Sequence, residues 1–327
     1  MYKKLRVHGR LINWFLGAVY DFSRFVLYGG WRCDLSDQQE RNYYASKVYH
    51  SLEKSMSYTD HNPSSGWANA AIVIEILEAA VKYKNAGFHD KVAALVLGSF
   101  IEKNNGETTA VIANQVRKKF DHLKSQIDTN VEDNFGVFNS SKNELNKGRL
   151  SCPEDFFFTR HSIREFGNVD SSVDKSTLEK AVRLSLKTPS ACNRQAWHVY
   201  HISDQKKIKK ALSHQKGNRG FGHKVNDLLV ICSDIKAFNP GSERYQHWID
   251  GGMYSMSLVY ALHSVGIASC CLNWSQQGKD DKGFRKDFPE ISNSHSVIIM
   301  LAIGEPKENN QICVSPRRPM SEIFTEL

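Results

Sequence analysis

The helical pattern Asp174-Lys175-Ser176-Thr177-Leu178-Glu179-Lys180-Ala181-Val182-Arg183-Leu184 has to stop at Lys187-Thr188-Pro189, because a proline ring clashes with helical geometry in the residue before it. A loop must begin there. It runs directly into an apolar, β-prone stretch, Trp197-His198-Val199-Tyr200-His201-Ile202, so the second half of the chain has to mix helices with strands. The loop carries Ser190, Asn193 and Gln195, whose hydroxyl and amides offer donors and acceptors that suit polyol hydroxyls and the polar edge of a heteroaromatic ring. A capped turn, with Asn193 and Gln195 bonding only backbone, is the other reading.

A second stretch, Thr159-Arg160-His161-Ser162-Ile163-Arg164-Glu165-Phe166, follows Ser151-Cys152-Pro153-Glu154-Asp155, which is expected to be a loop. It packs Arg160, Ser162 and Arg164 closely around His161. Two guanidinium forks and a hydroxyl can converge on one phosphate, since arginine presents paired planar donors and stays charged at physiological pH. Taken alone, the same residues also suit the solvated stripe of a helix start.

With 327 residues, 41% hydrophobic and 24% charged, the chain can bury a substantial core and is expected to form two domains. From Ser36 to about Asp128 it reads as successive helices: Gln38 to Met56, Trp67 to Tyr83, Lys91 to Asn104 and Thr108 to Ile127. No repeat period links them, so residues 1–130 are expected to be a separate all-helical domain. In it, His50 and Lys54 share a helix face. Residues 131–150 are polar and aperiodic, which predicts a linker. Residues 151–327 alternate helices (Asp174 to Lys187, Asp204 to Gln215, Tyr245 to Val265) with strands (Trp197 to Ser203, Asp227 to Ser233, Ile267 to Asn273, Ser296 to Gly304), the pattern of a sheet covered by helices. In the long helix, Gly251 and Gly252 permit close approach of another helix, in a dimer core or within one chain.

The net charge of +8 and pI near 9.0 come from scattered residues. The cluster Gln205-Lys206-Lys207-Ile208-Lys209-Lys210 lacks the aromatics that would stack on bases, so no nucleic-acid partner is expected. Seven cysteines, an odd number mostly set in apolar runs, suggest reduced thiols and a cytoplasmic protein. Cys270-Cys271 reads as core strand, and no ligand spacing predicts a metal. Neither a Gly-x-Gly-x-x-Gly turn nor a Gly-rich phosphate loop is present, which argues against Rossmann and P-loop domains. Near the N-terminus, Lys3, Lys4, Arg6 and Arg10 precede an interrupted apolar run in which Leu11, Trp14, Phe15, Tyr20, Phe22, Phe25 and Val26 suggest an amphipathic helix. Residues 1–30 are expected either to dock on the chain's own domain or to make peripheral membrane contact.

Together the two central stretches resemble the flavin signature of the nitroreductase family, FMN-dependent oxidoreductases with motifs Arg-x-Ser-x-Arg/Lys-x-Phe and Pro-Ser-x-x-Asn-x-Gln-x-Trp. Both occur here in order, and the resemblance runs from about Asp155 to the C-terminus. It implies an α+β fold, a nitroreductase-like mixed sheet flanked by helices. It also implies that Arg160, His161, Ser162 and Arg164 hold the FMN phosphate, ribityl chain and ring edge, while Pro189, Ser190, Ala191 and Asn193, with Gln195 in the same motif, reach the flavin from the partner subunit. Val265-Gly266-Ile267-Ala268-Ser269 is similar to the family's turn out of its central helix, which implies a homodimer. Leu272, Asn273 and Trp274 match positions along the ring, although they are bulkier than the family's usual residues. Asn218 would hold the pyrimidine edge, and Arg317 and Arg318, before Pro319, would close on the phosphate. No side chain of this chain is expected to be a catalytic nucleophile or base, since the flavin carries such chemistry. The implied reaction is ping-pong, from NAD(P)H as donor to a small-molecule electron acceptor. The helical extension resembles that of long nitroreductase-like proteins encoded among surface-polysaccharide biosynthesis genes. Two other classes stay open: a flavin-binding protein without turnover, and a membrane-associated assembly or adaptor protein acting through its helices.

Overall fold

The computed structural model describes residues 2–327 apart from 107, 109, 132–134, 168–171, 240, 275 and 277, with side chains from Gly9 onward. Asn134 of the expected linker, and the side chains of Lys3, Lys4 and Arg6, lie outside the described residues. The first half contains α1 (Tyr2–Tyr28), α2 (Gln38–Ser57), α3 (Trp67–Tyr83), α4 (Phe88–Lys103) and α5 (Ala113–Leu123). Short helices α6 (Lys142–Asn146) and α7 (Pro153–Phe158) lead to α8 (Lys175–Ser185), β1 (Trp197–Ile202), α9 (Gln205–Ser213) and β2 (Asp227–Asp234). The chain then forms α10 (Gln246–Ser264), β3 (Ala268–Asn273), α11 (Gly278–Asp287) and β4 (His295–Gly304).

Helix starts follow local chemistry. Asp37, Asp174 and Asp204 cap α2, α8 and α9 by accepting from backbone N–H groups that have no partner within the first turn. Helix α4 begins at Phe88, earlier than the periodicity predicts, because the Asp90 carboxylate reaches back 2.8 Å to the Gly87 N–H. Helices α2 to α5 bury a core of their own, which includes Leu52, Trp67, Ile74, Leu97, Phe100 and Val116. At its margin Arg41 is fully buried and forks onto Asp90, Nε to Oδ1 and Nη2 to Oδ2 both at 3.0 Å.

The four strands are ordered β1-β2-β4-β3, every neighbouring pair antiparallel. One parallel bridge joins Ser162 to Ser269 on β3. β2 is buried along its whole length, as a central strand covered on both faces must be. Leu228, Val230 and Cys232 face Ile208 and Leu212 of α9 and Phe284 of α11. Leu229 and Ile231 face Leu178 of α8 and Leu258 and Leu262 of α10. The chain is therefore α+β: a helix-flanked sheet in the second half, preceded by a helical region.

Helix α1 does not join the helical core. Its last turns lie on the sheet-containing half, where the Tyr20 hydroxyl donates to Asp281 at 2.7 Å and Arg24 donates to the Asn293 and His295 carbonyls at 3.0 Å. Of the apolar residues expected to dock, Tyr20 packs near Gly278 and Phe25 packs edge-on against His247, ring centroids 5.0 Å apart. Leu11, Trp14, Phe15, Phe22 and Val26 stay exposed. Docking is decided by the buried Asp281 carboxylate, which also accepts from Trp274 and Arg285 and so recruits the helix's polar side.

Candidate functional site

The stretch around Arg160 lies against the free edge of the sheet. The Ile163 N–H donates to the Ser269 carbonyl at 3.0 Å, while Phe166 bridges Pro306 and is buried. Ser162, at the parallel bridge to β3, stands between the two arginines, so the extended backbone sets out Arg160, Ser162 and Arg164 at alternate positions beside β3. The buried arginines of the fold, Arg24, Arg41 and Arg194, are each paired with a carboxylate. By contrast, Arg160 and Arg164 have no carboxylate partner among the described residues. Arg164 reaches only the Ser162 carbonyl at 3.4 Å and the Cys313 sulfur at 3.9 Å. Glu165, between them in sequence, is taken up by Lys224 and by Lys307, which hold its carboxyl down at about 2.

Neighbouring groups register this positive field. Partial burial lowers the imidazole of His263, bonded to Thr159 at 3.1 Å, and the Arg160 and His161 charges push it lower still. Burial raises the thiol of Cys270, and Arg164 opposes that rise; Cys271, expected with it in the core, is exposed. Cys313 brings the C-terminal segment next to Arg164. Arg317 and Arg318, further along it, are exposed, with Arg317 bonded to the Ser315 carbonyl of its own segment.

The Pro189 loop is held from three sides. Ser190 Oγ accepts from the Gln195 N–H at 3.0 Å, and the buried carboxylate of Asp250 accepts from the Ala191 N–H at 3.1 Å. Between them Cys192, Asn193 and Gln195 all have φ of 52°, a left-handed conformation costly for side chains other than glycine, with asparagine the least penalised. The fully buried Ser46 hydroxyl of α2 donates to the carbonyls of both Cys192 and Asn193, at 2.9 and 3.1 Å. Arg194 turns inward and forks onto Glu243 at 2.7 and 2.9 Å, with its plane over Phe238. Pro189 and Asn193 remain exposed, and the Gln195 amide reaches back to Asn193.

Asn218 and the end of β3 are joined by a buried residue that carried no signal in the sequence. Gln215 donates to the Asn273 carbonyl at 3.0 Å, and its own carbonyl accepts from the Asn218 amide at 2.5 Å. The Asn218 amide also donates to Leu212 at 2.8 Å, so its side-chain oxygen is the group left for another partner. Leu272 and the Trp274 indole are buried, the indole N–H donating to Asp281 at 3.0 Å. Asn273 is exposed. Ser46, Asp250 and Gln215 are the supporting residues that sequence reasoning missed.

Within one chain these parts fall into two groups. Arg160, Ser162, Arg164, Asn273 and the C-terminal segment gather around β3, at one edge of the sheet. The Pro189 loop precedes β1, at the opposite edge. On α10, Ile249, Met253 and Met256 present an exposed apolar face at 51%, 38% and 38% exposure.

Residues 158–305 match the nitroreductase family model, and this stretch is a nitroreductase-family domain, a class of oxidoreductases. A putative NADH dehydrogenase/NAD(P)H nitroreductase of Archaeoglobus fulgidus is 25% identical over 155 residues, covering 46% of this chain and 83% of that protein. A putative NAD(P)H nitroreductase of Bacillus subtilis, YodC, is 22% identical over 209 residues, covering 53% of this chain and 98% of that protein. Among solved structures, an FMN-dependent nitroreductase from Clostridium difficile is 20% identical, with a TM-score of 0.45, 53% of this chain covered and 98% of that one. A putative nitroreductase in complex with FMN from Desulfovibrio desulfuricans is 17% identical, with a TM-score of 0.45 and coverage of 53% and 95%.

Proposed function

We propose that the chain is an FMN-dependent oxidoreductase whose flavin site is completed by a second copy of itself. The observation that carries this reading is the pair Arg160 and Arg164, beside β3 and without a carboxylate partner among the described residues. A phosphate dianion suits that donor set, with Ser162 adding a hydroxyl and Arg317 and Arg318 following on the segment that Cys313 brings to Arg164. Asn273 and Asn218, linked through Gln215, offer polar groups to a ring edge. When bound, FMN supplies ping-pong hydride and electron transfer from NAD(P)H to a small-molecule acceptor. The chain's own residues bind, orient and exclude water: the arginines neutralise the phosphate, and the Ser46-held loop presents Pro189, Ser190, Ala191 and Asn193 as a fixed wall with Gln195 behind it.

The homodimer is supported by the separation of the two groups on opposite sheet edges and by the exposed apolar face of α10. We divide the chain into a helical domain at 1–130, a linker at 131–150 and a flavin domain at 151–327, the first two lying outside the family match. Cytoplasmic residence is assigned from the seven cysteines, and a link to polysaccharide biosynthesis from the resemblance of the helical extension alone.

The test is flavin absorbance of the purified protein, followed by steady-state oxidation of reduced nicotinamide. Arg160→Ala should lower FMN affinity by about ten- to a hundredfold, the 1.5–3 kcal/mol of a charge-assisted contact. Its thermal stability should be unchanged, because Arg160 makes no ion pair among the described residues. Wild-type flavin retention in this variant would remove the phosphate assignment.

A further inference from the structure

Helix α1 is amphipathic, yet apart from Phe25 it holds the rest of the chain with its polar side. Tyr20 and Arg24 meet Asp281, Asn293 and His295. The apolar side is turned to solvent: Leu11, Phe15, Phe22 and Val26 are 63%, 60%, 69% and 43% exposed. Their spacing of four, seven and four residues sets them on a single helix face. Nothing approaches within 4 Å of a side chain built at Gly9 or Gly17, and every residue from 9 to 16 is exposed. The N-terminal half of α1 therefore projects from the fold.

Exposed apolar stripes of this extent need an occupant, and charge selects it. The first twenty residues carry Lys3, Lys4, Arg6 and Arg10 and no carboxylate side chain before Asp21. That charge matches an anionic surface. Parallel pairing of α1 with α1 of a second copy would bring two such basic segments together, and like charges repel. No helix among the described residues is long and apolar enough to cross a membrane. We propose that α1 is an in-plane anchor for an anionic lipid surface, its stripe entering the boundary between headgroups and acyl chains and its basic residues meeting lipid phosphates. Anchored by Tyr20 and Arg24, the helix would hold the folded domain at the bilayer without inserting it. This inference is independent of the flavin reading.

The experiment is vesicle flotation of the purified full chain. It should float with mixed phosphatidylcholine–phosphatidylglycerol vesicles and bind pure phosphatidylcholine about tenfold more weakly, with binding reduced by added salt. The double variant Phe15→Ser with Phe22→Ser changes outward-facing residues, so it should keep its helicity and oligomeric state and lose flotation. Lys3→Gln with Lys4→Gln should weaken binding to anionic vesicles alone. Trp14 fluorescence, isolated as the difference from Trp14→Phe, should shift to the blue on vesicle addition. Failure of the full chain to float with anionic vesicles overturns the proposal, as does undiminished flotation of the Phe15/Phe22 variant. If that variant instead dissociates an oligomer, the stripe is an interface between copies and the membrane assignment is wrong.

Discussion

Ser46 shows how much one buried hydroxyl can decide. Its hydrogen bonds to the Cys192 and Asn193 carbonyls clamp a loop in which three side-chain-bearing residues have left-handed backbones. Ser46→Ala should cost about 1 kcal/mol globally, within the range for a lost hydrogen bond. Amide exchange across residues 190–195 should quicken much more than that small loss implies; unchanged exchange there would show that Asp250 and Ser190 suffice. A second residue-scale expectation concerns acid. Burial, with the Arg24 charge adding to it, lowers His247 to about 4 from the ordinary 6.5, and its Nδ1 has no partner among the described residues. The unfolded chain takes up that proton first as pH falls, so stability is complete above about pH 6.5 and declines towards pH 4, by roughly 2–3 kcal/mol from this residue. His247→Phe, set among Phe25, Phe238 and Trp248, should melt higher than wild type at pH 5 and gain less at pH 8. Equal gains at both would discard the titration argument. At this scale the grouping of Arg160 with Arg164 was legible in the sequence because guanidinium forks at alternate positions are rarely needed by a core. Ser46 was not, since a serine in mid-helix looks the same whether it faces water or a loop 146 residues away.

Elements were legible where one face is apolar and the period is clear. The strands at 197–202, 227–234, 268–273 and 295–304 and the long helix at 246–264 fall within one or two residues of their expected ends. Helix α11, Gly-Lys-Asp-Asp-Lys-Gly-Phe-Arg-Lys-Asp, escaped because only Asp281 and Phe284 are buried in it, too few to mark a period. Short α7 escaped for want of turns. The contacts of α1 could not be read from its period for a related reason: periodicity locates an apolar face, but here a buried carboxylate on α11 captures the polar one. Beside the apolar contacts between α2 and α4, Arg41 pairs with Asp90, both side chains fully buried. Asp90→Ala strands that guanidinium and should cost about 3–5 kcal/mol. Urea unfolding should then show α2 to α5 melting before the sheet, and a single transition at the wild-type midpoint would mean the pair adds little.

For the whole molecule, the helical region and the family domain are joined by more than the continuity of the chain. Lys236 meets Asp37 at 2.7 Å, and the Tyr43 hydroxyl reaches Asp234 at 3.2 Å. Tertiary contacts of this kind join residues about 200 positions apart, which is why composition revealed two regions and not how they meet. The two-edge arrangement of the sheet, with Arg160 at β3 and the Pro189 loop at β1, has a thermodynamic corollary under the proposed function. If each chain carries two halves of different sites, cofactor and second copy become each other's ligands, and mass action couples their equilibria reciprocally. Dilution into the monomer range should release flavin, and added FMN should draw monomers back into dimers. Sedimentation followed at flavin wavelengths would record both shifts, whereas flavin travelling with monomer at undiminished occupancy would mean that one chain suffices. In a cell such an enzyme would be charged with cofactor in step with its own abundance, loading steeply as copies accumulate and standing empty when they are scarce.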